Sequence, residues 1–89
     1  MDSTNSISDI NISKSANISI EVNGLLNKNL SDVLGGLNIR HSTTPDNISI
    51  SYLEGAVKDQ AALIGIINTL FNMRFPIVNV KIKTNEKVV

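Results

Sequence analysis

The stretch from Gln60 to Met73 carries no charged side chain, and its apolar residues recur with helical spacing. Asp59 is a good N-terminal cap for such a helix, and Pro76 sets the boundary beyond its far end. Half of the helical wheel is filled by apolar side chains, namely Leu63, Ile64, Ile66, Ile67, Leu70, Phe71 and Met73. This half predicts the buried side of a helix over residues 59–74, so the rest of the chain has to cover it.

Four further segments show the period-2 alternation that is typical of half-buried strands. The apolar faces predicted for them are Ile18, Ile20 and Val22; Leu37, Ile39 and His41; Ile48, Ile50 and Tyr52; and Val78, Val80 and Ile82. Leu53 breaks the alternation of the third segment and Gly55 follows closely. That combination predicts a bulge or a twist near the end of the third strand.

These elements predict a two-layer α+β domain, in which a four-stranded sheet has one main helix (residues 59–74) on one face. Residues 29–35 could add a short helical turn, capped by Asn29 and ended by Gly35 in the left-handed conformation. If that turn is a real helix, the order is that of a ferredoxin-like split βαβ unit. If it is not, the first three strands form an antiparallel meander. The roughly twelve residues available are barely enough for a crossover, which favours the meander.

The 89 residues are enough for one small domain. Residues 1–15 are polar and predict a flexible N-terminal tail, although Ile7, Ile10 and Ile12 leave an extra edge strand open. The domain is expected over residues 16–84, followed by a C-terminal tail over residues 85–89.

Charge and composition exclude several classes of protein. Eight basic and eight acidic residues cancel, so the chain has no electrostatic footprint for nucleic acid or anionic lipid. With no cysteine, it has neither a disulfide nor a thiolate metal site. The N-terminus lacks the features of a signal peptide, and the longest apolar run is far short of the ~20 residues that span a bilayer. We therefore expect a cytoplasmic protein with no nucleic-acid or membrane partner.

A short sequence motif surrounds the start of the predicted helix. Leu53 and Gly55 precede Asp59-Gln60-Ala61-Ala62-Leu63, and Gly65 follows. This pattern resembles the C-terminal half of a family of short uncharacterised prokaryotic proteins, in which Leu-x-Gly precedes Asp-Gln-Ala-Ala-Leu-x-Gly and a final strand. The resemblance covers roughly residues 18 to 82.

The upstream part of that family's pattern is Trp-Ser-Asp-Trp and a turn of small residues. Here it corresponds to residues 30–33 and to Gly35 and Gly36, with Leu30 and Val33 in place of the two tryptophans. Ile64 stands where relatives commonly have a histidine. The family has no established activity, so the resemblance implies a folded domain but does not indicate an activity.

Candidate catalytic residues are few. Arg40 and His41 are adjacent on a predicted strand and therefore point to opposite faces. Asp59 and Gln60 stand at a strand-to-helix turn, where a bound anion could meet free backbone N–H groups. Asp59 would repel that anion, and helix capping explains this residue. No phosphate loop, nucleophile elbow or metal-binding motif is present. The sequence predicts a non-enzymatic protein with no catalytic, cofactor-binding or metal-ligating residue.

The second half of the helical wheel consists of small or uncharged residues. Solvent-facing helices usually carry charged residues there, and Gly65 costs ~1 kcal/mol relative to alanine in a helix interior. One interpretation is that this face of the helix is simply exposed to solvent, in a chain that has few charged residues overall. We favour an interface for a second helix, and hence a self-associating or protein-interaction module. The candidate interface residues are Ala61, Ala62, Gly65 and Thr69.

Two alternatives remain open from the sequence. The first is a small-molecule-binding regulatory or sensor domain, with a pocket between the sheet and the glycine-containing segment. The residues predicted to form that pocket are Gly35, Gly36, Arg40 and Tyr52. The second and weaker alternative is a small enzyme.

Overall fold

The structure is a computed structural model that describes residues 15–84. In this part of the chain, four antiparallel strands form one sheet and a single α-helix packs on one of its faces, which confirms the predicted α+β class. The strands are β1 (Ala16–Asn23), β2 (Asn38–Thr43), β3 (Ser49–Val57) and β4 (Ile77–Thr84); the helix is α1 (Gln60–Asn72), and a 3-10 helix spans Lys28–Leu34. Apart from Ser15, the predicted tails and the isoleucines of residues 7–12 lie outside the described residues.

The strand order is β2-β3-β1-β4, and every neighbouring pair is antiparallel. Because β3 lies between β1 and β2, the connection through the 3-10 helix is the crossover of a ferredoxin-like split βαβ unit. The expected meander, which would pair β1 with β2, is therefore wrong. A 3-10 helix rises about 2.0 Å per residue against about 1.5 Å for an α-helix, so a short connection is able to make the crossover.

The 3-10 helix has a defined start and a defined end. The side chain of Asn27 accepts a hydrogen bond from the Asn29 N–H at 2.8 Å, so Asn27 is the cap and not Asn29 as expected. Gly35 ends the helix in the left-handed conformation, with φ of 73°, and its N–H donates to the Ser31 carbonyl. The role predicted for Gly35 is confirmed.

Helix α1 is capped by Asp59, whose Oδ1 accepts a hydrogen bond from the Ala62 N–H at 2.9 Å. Beyond its C-terminus, Arg74 has a φ of 64° and its N–H donates to the Phe71 carbonyl. Phe71, expected in the core, is 63% exposed. The buried stripe is narrower than the predicted half of the wheel and consists of Leu63, Ile66, Ile67 and Leu70.

The core lies between α1 and one face of the sheet. On β1, the predicted face is buried, and Ala16 extends it. On the sheet's other face, β1 and β4 present residues such as Ser19, Glu21 and Lys81. The buried apolar residues that form the core are Ala16, Ile18, Ile20, Val22, Leu26, Leu34, Leu37, Ile39, Leu53, Val57, Leu63, Ile66, Ile67 and Leu70.

The predicted inward face of β3 is Ile48, Ile50 and Tyr52; Ile50 is buried, but this face is not the one that meets the core under α1. Leu53 pairs with Ile20 of β1 and is fully buried, as is Ser51, so Tyr52 lies on the opposite face. Ile48 precedes the strand and is 50% exposed. The pairing of β3 with both neighbours is continuous, and the register shift lies in the β1–β4 pair instead. Leu53 is therefore an ordinary core residue and not the sign of a bulge.

Candidate functional site

A groove with a volume of about 570 Å³ lies beside α1, between this helix, the end of the 3-10 helix and the end of β3. We call it the α1 groove. Its lining residues are largely apolar or small: Val33, Gly35, Ala56, Val57, Lys58, Ala62, Gly65, Ile66 and Thr69. A split βαβ unit with two full helices would carry a second helix next to α1. In this chain a short 3-10 helix takes the place of that second helix, and the space it leaves unfilled is the α1 groove.

Two glycines determine the shape of the α1 groove. A Cβ atom on Gly35 would lie 2.9 Å from Cδ1 of Ile66, so the end of the 3-10 helix packs closely against the Ile66 side chain of α1. At Gly65 a Cβ atom would have no neighbour within 4 Å. Gly65 is thus not required by packing within the described chain, although it weakens the helix.

Charge is nearly absent from the α1 groove. Helix α1 contains no charged residue, and Lys58 is the charged residue among those described as lining the groove. The Thr69 hydroxyl donates to the Gly65 carbonyl at 2.9 Å, so its donor is used within its own helix. Val33, on the opposite side, is 60% exposed. This surface can bury apolar area without desolvating an ion of α1.

The structure brings most of the predicted interface residues together. Ala62, Gly65 and Thr69 line the α1 groove, whereas Ala61 is exposed and lies outside the lining. Sequence reasoning missed the rest of the lining as a site, because the helical wheel describes only one of the three elements involved. The apolar Val33 in the short helical turn was the available signal.

The four residues of the predicted pocket do not share a cavity. Gly35 lines the α1 groove, and Gly36 beside it is exposed. Arg40 and Tyr52 are register partners on β2 and β3. Their strand neighbours Ile39 and Leu53 are buried in the core, on the face of the sheet that α1 and the 3-10 helix cover. Alternation therefore places Arg40 and Tyr52 on the sheet face away from α1, which corrects the prediction.

On that face, the Arg40 side chain of β2 contacts two side chains of β3. Its guanidinium lies 4.3 Å from the centre of the Tyr52 ring, and its Nη2 and Nε donate to the Glu54 carboxylate at 3.1 and 3.4 Å. The hydrogen bond from Arg40 lowers the pKa of Glu54, and the same bond raises the pKa of Arg40. Because both partners are well exposed, the pair is a weak cross-strand contact. The guanidinium is already engaged, so an incoming anion would have to displace Glu54.

Within residues 15–84 no group of three or more His, Cys, Asp or Glu residues is arranged to hold a metal ion. The helices of the described chain are also too short or too polar to cross a membrane.

Fold and site together define a small α+β domain of the split βαβ type, with a nearly uncharged groove beside its main helix. Residues 17–81 match the family model described as Domain of unknown function (DUF8691), and the chain belongs to that family. No curated protein and no solved structure matches the chain.

Proposed function

We propose that this protein is a non-enzymatic interaction module that associates with a second copy of itself through α1 and the α1 groove. The observation that carries the proposal is a helix without any charged side chain, one flank of which lines an apolar groove and is open to solvent. A helix face without charged side chains interacts only weakly with water. Covering this face removes apolar area from water, which favours association.

The expected association is weak. A 13-residue helix is about 20 Å long, so a contact centred on it buries less than the ~800 Å² per partner of a standard interface. Interfaces well below the standard size are typical of weak, transient complexes, so we expect an affinity in the micromolar range or weaker. A module of this kind would respond to its own concentration or to tethering on a larger assembly.

Charged substitutions on α1 test this proposal. Gly65→Glu places a carboxylate in the α1 groove, where a partner would have to desolvate it at a cost of several kcal/mol. The matched control is Asn68→Glu, on the same helix and exposed but outside the groove lining. Light scattering should show an oligomer for the wild type and for Asn68→Glu, and a folded monomer for Gly65→Glu. Equal masses for all three proteins would argue against the groove.

A small-molecule sensor is a second candidate, because the groove volume of about 570 Å³ lies within the ~300–1,000 Å³ range of ligand pockets. An apolar compound that fits should raise the melting temperature of the wild type, and Gly65→Glu should abolish the shift. A shift that persists in Gly65→Glu would place the compound elsewhere.

Other features of the proposal rest on sequence. The resemblance to short prokaryotic proteins, the cytoplasmic location, and the lack of nucleic-acid or membrane partners remain predictions.

A further inference from the structure

We infer that residues 8–12 add a fifth strand to the sheet, along the outer edge of β4. The sequence alone leaves open whether the isoleucines before β1 form an extra edge strand, and the edge of β4 offers a place for one. The occupant is a segment of the same chain, parallel to β4. This inference is independent of the proposed self-association, because β4 contributes no residue to the described lining of the α1 groove.

The edge of β4 is incomplete in both hydrogen bonding and apolar contact. Within residues 15–84, β4 is the last strand of the sheet and pairs with β1 alone. Val80 and Ile82 pack against the core but are only partly buried, whereas their partners on β1, Ile20 and Ile18, are buried. An open edge of eight residues is a template for another strand. A strand at this edge would accept and donate the free backbone hydrogen bonds and cover both side chains.

The chain before β1 begins close to this edge. Strand β1 starts at Ala16, which pairs with Thr84 at the end of β4. The outer edge of β4 lies two strand spacings from β1, roughly 10 Å. The four Cα steps from Ile12 to Ala16 span up to roughly 14 Å, so the chain is able to pass the end of β4. A segment that enters β1 in this way runs parallel to β4, with Ile12 level with Thr84.

The residue pattern of the segment matches the two faces of β4 in that register. Ile10 then lies level with Ile82 and points to the same core face. Asp9 lies level with Lys81 on the outer face, where the two form a cross-strand pair of opposite charge. Lys14 falls in the connection to β1 and not in the strand. The order of apolar and polar residues therefore suits this edge.

Charge favours this segment over a second copy of β4. The charged residues of β4 are Lys81 and Lys83, so two β4 edges would bring like charges together. Residues 1–13 contain two aspartates and no basic residue. Glu21 on β1 pairs with Asn79 and is separated from the outer edge by β4. A segment tethered at β1 also has a high effective concentration at the edge.

Amide hydrogen exchange in the full chain tests the added strand. Ile10→Asp places a charge on the core face, so the β4 amides that point away from β1 should exchange at least ~10-fold faster than in the wild type. The matched control Asn11→Asp changes a residue of the outer face and should leave these rates unchanged. Equal exchange of these amides in the wild type and in Ile10→Asp would overturn the inference.

A disulfide identifies which segment lies at the edge, since the chain has no cysteine of its own. Adjacent strands lie ~4.8 Å apart, within the Cα separation that a disulfide spans. The double variant Asp9→Cys with Lys81→Cys should therefore close an intrachain disulfide in a glutathione buffer. In the matched pair, Asp9→Cys is combined with Asn38→Cys, which lies in the same row of the sheet at the opposite edge. This pair should close at least ~10-fold less.

The products of these two double variants separate the possible occupants. Equal yields from the two pairs would show that the segment does not select the β4 edge, and would overturn the inference. Covalent dimers in place of closed monomers would show that a second chain lies at the edge, which overturns it as well. Neither measurement depends on the α1 groove, so the inference and the proposed self-association can fail separately. Circular dichroism of every variant establishes that it is folded.

Discussion

Ser51 is a polar residue in the middle of the core, and its two hydrogen bonds explain why it is tolerated there. Its hydroxyl donates to the Gly24 carbonyl at 2.7 Å and accepts from the Leu26 N–H at 2.9 Å. The serine therefore satisfies two backbone groups of the segment that leaves β1. It fixes the path of the chain from the sheet into the 3-10 helix, and hence the position of one side of the α1 groove.

Replacing Ser51 by alanine should destabilise the protein by about 1–3 kcal/mol, because the buried Leu26 N–H and the partly buried Gly24 C=O lose their partner. Urea unfolding followed by circular dichroism measures the change. The control Ser42→Ala, at an exposed position of β2, should change the free energy of unfolding by less than ~0.5 kcal/mol. Equal stability of the two variants would show that water replaces the hydroxyl.

Single residues also mark where sequence reasoning reached its limit. The alternation of β1 was sufficient to predict its buried face, because its polar residues all face outward. On β3 the same rule chose the wrong face, since a serine in the core is recognised only when its hydrogen-bond partners are known. Those partners, Gly24 and Leu26, lie more than 20 positions away in the chain.

At the scale of elements, the 3-10 helix determines both the strand order and the groove. The sequence predicted four strands and a main helix correctly, because each has its own hydrophobic period. The order of the strands depends on whether the Lys28–Leu34 segment can cross over β3, and local periodicity does not encode that. The sequence therefore predicted most of the residues that α1 contributes to the α1 groove, but not those contributed by the 3-10 helix and β3.

The approach of the 3-10 helix to α1 is testable with two neighbouring glycines. Gly35 and Gly36 both have a φ of 73°, so an alanine at either position costs about 1–2 kcal/mol in backbone strain. At Gly35 the added Cβ also meets Ile66 at 2.9 Å, whereas at Gly36 it meets nothing within 4 Å. Gly35→Ala should therefore be the more destabilising change in thermal unfolding. Equal losses would indicate that the Ile66 side chain shifts to make room for the added Cβ atom.

At the scale of the whole molecule, the chain is a one-helix version of a fold that has room for two helices over its sheet. The described domain covers its core with α1 and the 3-10 helix, and the space left between them is the α1 groove. In the proposed dimer, a second copy brings its own uncharged helix to this space. The proposed self-association would account for the absence of charge on α1 and for Gly65, which packing within the described chain does not require.

The most direct test is the molar mass of the wild type in solution as a function of concentration. Sedimentation equilibrium from about 1 μM to about 1 mM covers the range of weak affinities. Self-association through α1 predicts a mass that rises from the 9.6 kDa of one chain towards twice that value. The same series on Gly65→Glu should remain at the mass of one chain. A wild type that stays at 9.6 kDa throughout would contradict the account.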